Sequence, residues 1–160
     1  MSVISGDRGR RFEPEIRQME LMQHQTGRRY RVMVEGRDKV FAFFLPAGEY
    51  GITRVQIHEG PFLSIAQLSS TFTVGHDPVA YVGDWRFGVD SPRYGRMVLV
   101  SMVDENATRR QVERTIREQY PSLATTPLVT VIPSPAETEA RLYEVSPYPR
   151  VQKYFQRHNW

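Results

Sequence analysis

Cysteine is absent from the 160 residues. That excludes disulfides, thiol nucleophiles and cysteine-ligated zinc or iron–sulfur centres, and leaves the compartment open. Lysine is nearly absent as well, with Lys39 and Lys153 the only two among 21 basic residues. Arginine so dominant reads as coding bias rather than as a nucleic-acid surface. No apolar run approaches the roughly 18 residues that span a bilayer. The opening residues Ser2 to Asp7, followed by Arg8, Arg10 and Arg11, do not read as an export signal. The familiar phosphate loops are missing too, since neither a P-loop nor a G-x-G-x-x-G follows a predicted strand.

What is present is an ordinary globular balance, with 40% hydrophobic and 24% charged residues and a net charge of +3. Its distribution is uneven. Residues 1–40 carry nine basic and six acidic groups, 41–105 carry four and seven, and 106–160 carry eight and five. A nucleic-acid binder concentrates positive charge on one element; here the middle is acidic and only the flanks are basic. No nucleic-acid partner is expected.

Along the chain, residues 1–29 read as an N-terminal arm. Pro14 suits the first turn of a short helix, and Phe12, Ile16, Met19 and Gln23 give it a weak stripe. From Tyr30 the period becomes two. Tyr30, Val32 and Val34 alternate with Arg31 and Met33, and Val40 to Leu45 is apolar on both faces, as a central strand would be. Pro46-Ala47-Gly48-Glu49 reads as a turn into a strand from Tyr50 to Ile57, making a hairpin. Further strands are predicted at Phe62–Ala66, Thr71–Val74, Val79–Trp85 with an extension to Val89, Tyr94–Val103 and Leu128–Ile132. On the longest, Met97, Leu99 and Val103 share one face and Val98, Val100 and Met102 the other.

One helix is predicted over about 106–120. Asn106 or Thr108 can cap it, Thr108 and Gln111 have capping-box spacing, and Val112, Ile116 and Tyr120 line one face. Pro121 ends it. The fold expected is an antiparallel β-sandwich of about seven or eight strands with this one amphipathic helix and extended termini. Its parts would be an arm at 1–29, a sandwich domain at 30–132 that includes the helix, and a Pro-punctuated tail at 133–160.

Candidate chemistry is sparse. His24, His58, His76 and His158 lack the spacing that sets two ligands on one helix turn or strand face. A metal-dependent enzyme would need His58, His76 and Asp77 to converge at one end of the sandwich. No G-x-S-x-G elbow surrounds Ser64, Ser69 or Ser70. The reading is therefore non-enzymatic, with no cofactor and no catalytic residue. Two binding features remain. Tyr81, Trp85 and Phe87 could line a small-ligand cleft. The C-terminal segment carries Tyr148, Arg150, Lys153, Tyr154, Phe155, Arg157 and Trp160, an aromatic and basic mixture of the kind enriched at binding hot spots. This tail is expected to engage another protein or a second copy, or to fold back over its own domain.

The run Phe43-Phe44-Leu45-Pro46-Ala47-Gly48-Glu49-Tyr50-Gly51-Ile52 resembles the strand–Pro-x-Gly-x-Tyr–strand hairpin of bacterial lipoproteins of unknown function that carry a prealbumin-like or carboxypeptidase-regulatory-like β-sandwich. Phe72-Thr73-Val74 and Val79 to Asp84 are similar to the closing strands of that group, and Tyr120-Pro121 to the end of its helix. The match covers about residues 40–123. It implies a β-sandwich and a cell-envelope or periplasmic location, peripheral or lipid-anchored, and no catalytic residues. The sequence shows neither the export signal nor the lipid-bearing cysteine of that pattern, so the expectation is either a soluble segment that begins after that cysteine or a cytoplasmic protein.

Overall fold

The computed structural model describes residues 2–3, 13–34, 40–60, 62–76, 78–90 and 96–145. The protein is mainly β, as the alternation predicts. In chain order the strands are β1 (Ser2–Val3), β2 (Glu15–Gln23), β3 (Arg29–Met33), β4 (Gly48–Glu59), β5 (Phe62–Gln67), β6 (Thr71–Val74), β7 (Val79–Tyr81), β8 (Asp84–Asp90) and β9 (Arg96–Val103). Helix α1 (Asn106–Gln119) follows, then a short 3-10 turn at Pro121–Leu123, β10 (Leu128–Thr130) and β11 (Glu137–Glu144).

Seven strands form an antiparallel sheet in the order β8-β9-β11-β5-β4-β2-β3, curled into a half-barrel, with β1 added in parallel beside β8. The long strand β4 runs along β2 on one side. On its other side Gly48–Gly51 pair with β6 and Arg54–Glu59 with β5. A second, two-stranded parallel sheet joins β7 to β10.

Alternation puts one apolar face of each strand inward. Val98, Val100 and Met102 of β9, Trp85, Phe87 and Val89 of β8, and Tyr50, Ile52, Val55 and Ile57 of β4 join a single core cluster. The curl therefore brings both halves of the sheet onto one interior, in a sandwich-like way. On β9 the inward face is the Val98–Val100–Met102 set, while Leu99 stays 53% exposed.

Two register shifts between β2 and β4 alter this pattern. One inserts Arg17 between Ile16 and Gln18; the other inserts Thr53 between Ile52 and Arg54. An extra residue flips the side-chain phase, so Ile16 and Met19 both point inward although three positions apart. This explains why residues 15–23, expected as a short helix in a peripheral arm, are a strand inside the main sheet. The stripe at 16, 19 and 23 is a bulged β pattern that imitates helical spacing.

Two other expectations change. Val40 to Leu45 is not a strand, and Phe44 is 82% exposed. Both sides of β4 are already paired, to β2 and to β6 and β5, so residues 40–45 have no edge of β4 to join. The Pro46-x-Gly48-x-Tyr50 turn is instead held by the Tyr50 hydroxyl, which donates to the Pro46 carbonyl at 2.6 Å. Within the stretch expected as a tail, Glu137–Glu144 forms β11 in the middle of the sheet, between β9 and β5. The link into it is fixed at Thr71 and Ser134, which exchange two backbone hydrogen bonds of 2.8 Å. Fully buried Ser70 donates to the Pro135 carbonyl at 2.7 Å.

Candidate functional site

Helix α1 lies where the sequence places it, with Ile116 buried on its apolar face. Its N-cap is Glu105, which makes no side-chain capping bond, rather than Asn106 or Thr108. Arg86 of β8 reaches Glu105 at 2.6 Å and Asp84 at 3.5 Å, fastening the helix start to the main sheet. The Glu105 hydrogen bond and charge, with help from Asp84, hold the Arg86 guanidinium above its ordinary pKa. Further along α1, Arg109 donates to the Leu128 carbonyl at 3.0 Å and lies 3.7 Å from Glu113.

Between α1 and the β7–β10 sheet is a depression of about 290 Å³, lined among others by Val79, Glu113, Ile116, Leu123, Thr126 and Leu128. The same small sheet holds Tyr81 opposite Thr130. The hydroxyls of both are buried and without a hydrogen-bond partner. Burial first, then the charges of Asp84, Asp104 and Glu105, push the Tyr81 phenol above its ordinary value of 10.0, against the opposing pull of Arg109. Tyr81 is thus a neutral phenol at physiological pH. It can donate or accept a hydrogen bond but is no base.

The residues expected to line an aromatic cleft part company. Trp85 and Phe87 belong to the main core, 4% and 2% exposed, and the Trp85 indole donates to the Val82 carbonyl at 3.2 Å. Tyr81 alone of the three sits in the small sheet. The depression nearby is lined by other residues, which the sequence did not mark because they come from a helix, a turn and two strands far apart in the chain.

The histidines are scattered. His58 lies near one end of β4, opposite Leu63 of β5. His76 follows β6, whose Val74 pairs with Gly48 at the other end of β4. The ten residue steps between Gly48 and His58 correspond to about 33 Å of strand. His58 and His76 therefore do not converge, and Asp77 lies outside the described residues. His24 is 3.5 Å from Glu49, and the His58 ring is 3.0 Å from the Gln56 amide. Among the described residues no group of three or more His, Asp and Glu is placed to hold a metal ion. None of the helices there is long and apolar enough to cross a membrane.

The outer face of the main sheet offers a different kind of surface. Ile65 of β5 pairs with Tyr143 of β11, and Arg141 of β11 pairs with Met97 of β9. Tyr143 is 59% and Leu99 53% exposed, and the Arg141 guanidinium sits 5.5 Å from the Tyr143 ring centroid. Ile65, Tyr143, Met97 and Leu99 form a diagonal apolar line across three neighbouring strands. The sequence hides it because the weak alternation of Glu137–Glu144 does not mark β11 as a strand. The tail residues Tyr148, Arg150, Lys153, Tyr154, Phe155, Arg157 and Trp160 lie outside the described residues. No protein-family model, curated protein or solved structure matches the chain.

Proposed function

We propose that this chain is a non-enzymatic protein-binding or structural module whose C-terminal aromatic-basic tail is the docking segment, with Tyr154, Phe155 and Trp160 as apolar anchors and Arg150, Lys153 and Arg157 as charged contacts. The observation that supports it is the place where the tail begins. The chain leaves β11 at Val145, beside an outer sheet face whose apolar residues stand in solvent. Exposed apolar patches of this kind mark interaction surfaces. The partner is another protein or a second copy of the chain, in the bacterial cell envelope or periplasm. That placement rests on the Pro46-x-Gly48-x-Tyr50 resemblance, although residues 40–45 do not form the first strand of the resembled hairpin.

The test replaces Tyr154, Phe155 and Trp160 together with alanine. The expected result is loss of capture of an envelope protein by a variant that still folds, its melting temperature lowered by about 3–6 °C at most. Capture that persists, or loss of folding, contradicts a docking role.

A second reading, a small-ligand carrier, is favoured by one observation: the depression between α1 and the β7–β10 sheet, the same small sheet that carries the unpartnered Tyr81 and Thr130 hydroxyls. Saturable quenching of tryptophan fluorescence by a metabolite pool, lost in Tyr81→Phe, would support it; no saturable quenching would contradict it.

A further inference from the structure

We propose that residues 146–160 of this same chain seat on the outer face of the main sheet, along the apolar line from Ile65 through Tyr143 and Met97 to Leu99. The proposal deepens the reading of the tail as a docking segment by naming the surface from which a partner would have to take it.

Three observations meet on this face. The first is apolar exposure at the centre of a sheet rather than at its rim, with Tyr143 and Leu99 each more than half exposed. The pairing of Arg141 with Met97 sets Tyr143 one diagonal step from Met97, and such neighbours are within reach of aromatic and long side chains. The second is charge. Alternation along β11 puts Glu137 and Glu139 on the same outer face as Arg141 and Tyr143, and both glutamates are exposed. Residues 146–160 contain Arg150, Lys153 and Arg157 and no Asp or Glu, with Tyr148, Tyr154, Phe155 and Trp160 among them. A basic, aromatic segment complements the Leu99 end of the line, which Glu137 and Glu139 border, while Arg141 stacks on Tyr143 at its middle.

The third is reach. The Val145 amide donates to the Leu63 carbonyl at 2.7 Å, so the tail starts beside the apolar line. From Val145 to the level of Leu99, which pairs with Glu139, is about 20 Å along β11. Fifteen residues extend to about 50 Å. A tethered segment meets its own sheet at an effective concentration near the millimolar range. That favours the chain's own face over the same face of a second copy in dilute solution.

Amide hydrogen exchange of the full chain, read over residues 146–160 at two protein concentrations, tests this. The expected result is protection of about tenfold or more over unstructured rates, equal at both concentrations. It should be lost in Leu99→Lys with Tyr143→Lys, which sets positive charge against a basic segment at two exposed positions. The sheet amides report whether that double variant folds. Glu137→Lys with Glu139→Lys is the second variant and should lower the same protection. Unstructured rates in the natural chain, or protection that survives both variants, would overturn the proposal. Protection that grows with concentration would overturn it in favour of a second copy. Capture of a separate partner is read independently, so failure of the seating and failure of the docking role are told apart.

Discussion

Arg96 of β9 forms an ion pair with Glu59 of β4, although β11 and β5 lie between their strands. In a flat sheet three inter-strand steps would separate the two backbones by about 14 Å. Side chains that stand off the inner face of a flat sheet would leave that gap open, and the curl of the sheet closes it, so the contact accords with the half-barrel. Both residues have the inward phase of their strands, and Glu59 is 8% exposed.

The pair should therefore matter for stability. Arg96→Ala removes one cation from the buried Glu59 carboxylate, and the expected loss is about 1–3 kcal/mol. For a chain of this size that lowers the melting temperature by about 3–8 °C. An unchanged melting temperature would mean that the curl is held without the pair.

Glu20 makes a second prediction. Its carboxylate is buried on the outer side of β2, between Arg29 at 3.2 Å and Arg54 at 3.0 Å, and accepts the Thr53 hydroxyl at 3.1 Å. Thr53 is the bulged residue of β4, so the hydrogen bond and the register shift support each other. Glu20→Gln should cost about 1.5–3 kcal/mol, with little dependence on salt because the carboxylate is shielded. Thr53→Val should cost less in that background than in the natural chain, the mark of two coupled residues. Additive losses in urea unfolding would separate the bulge from the charge.

The buried phenols set a pH dependence. Burial raises Tyr81, and burial with its neighbour Tyr30 raises Tyr50, above the ordinary tyrosine value of 10.0. A folded pKa above the unfolded one means that folding favours the neutral form. That contribution is fully present below about pH 10 and is lost as pH climbs through the folded values. Stability measured by urea unfolding should fall above pH 10, and Tyr81→Phe should flatten part of that fall. At pH 7 the same substitution should be neutral or mildly stabilising, because the hydroxyl has no hydrogen-bond partner. A loss above about 2 kcal/mol at pH 7 would show that the hydroxyl is bonded in solution, and would weaken the small-ligand reading, which draws on its being unpartnered.

Much of the fold was readable where one strand face is apolar and the other polar. Trp85, Phe87 and Val89 of β8, the alternating β9 and the Val112–Ile116 face of α1 carry local signals that tertiary structure leaves intact. Two central strands were not readable. In β2 the bulge at Arg17 breaks the period. In β11, Glu-Thr-Glu-Ala-Arg-Leu-Tyr-Glu offers only Ala140 and Leu142 to the interior, because the strand is central yet its outer face meets solvent. Val40 to Leu45 shows the converse: β-forming residues need a free edge, and β4 has none to give. The outer apolar line was illegible for the same reason as β11, since adjacency of Tyr143 and Met97 exists only once that strand is placed. The tail was singled out by composition alone, as aromatic and basic residues without acidic ones.

The central claim is that the tail is what docks. A peptide of residues 146–160, added in excess to the full chain holding a protein captured from the source organism's envelope fraction, tests it directly. The account predicts release of the captured protein by this peptide and none by a scrambled peptide of equal composition. Capture that survives the excess would contradict the claim and move the binding surface to the sheet or the N-terminal residues.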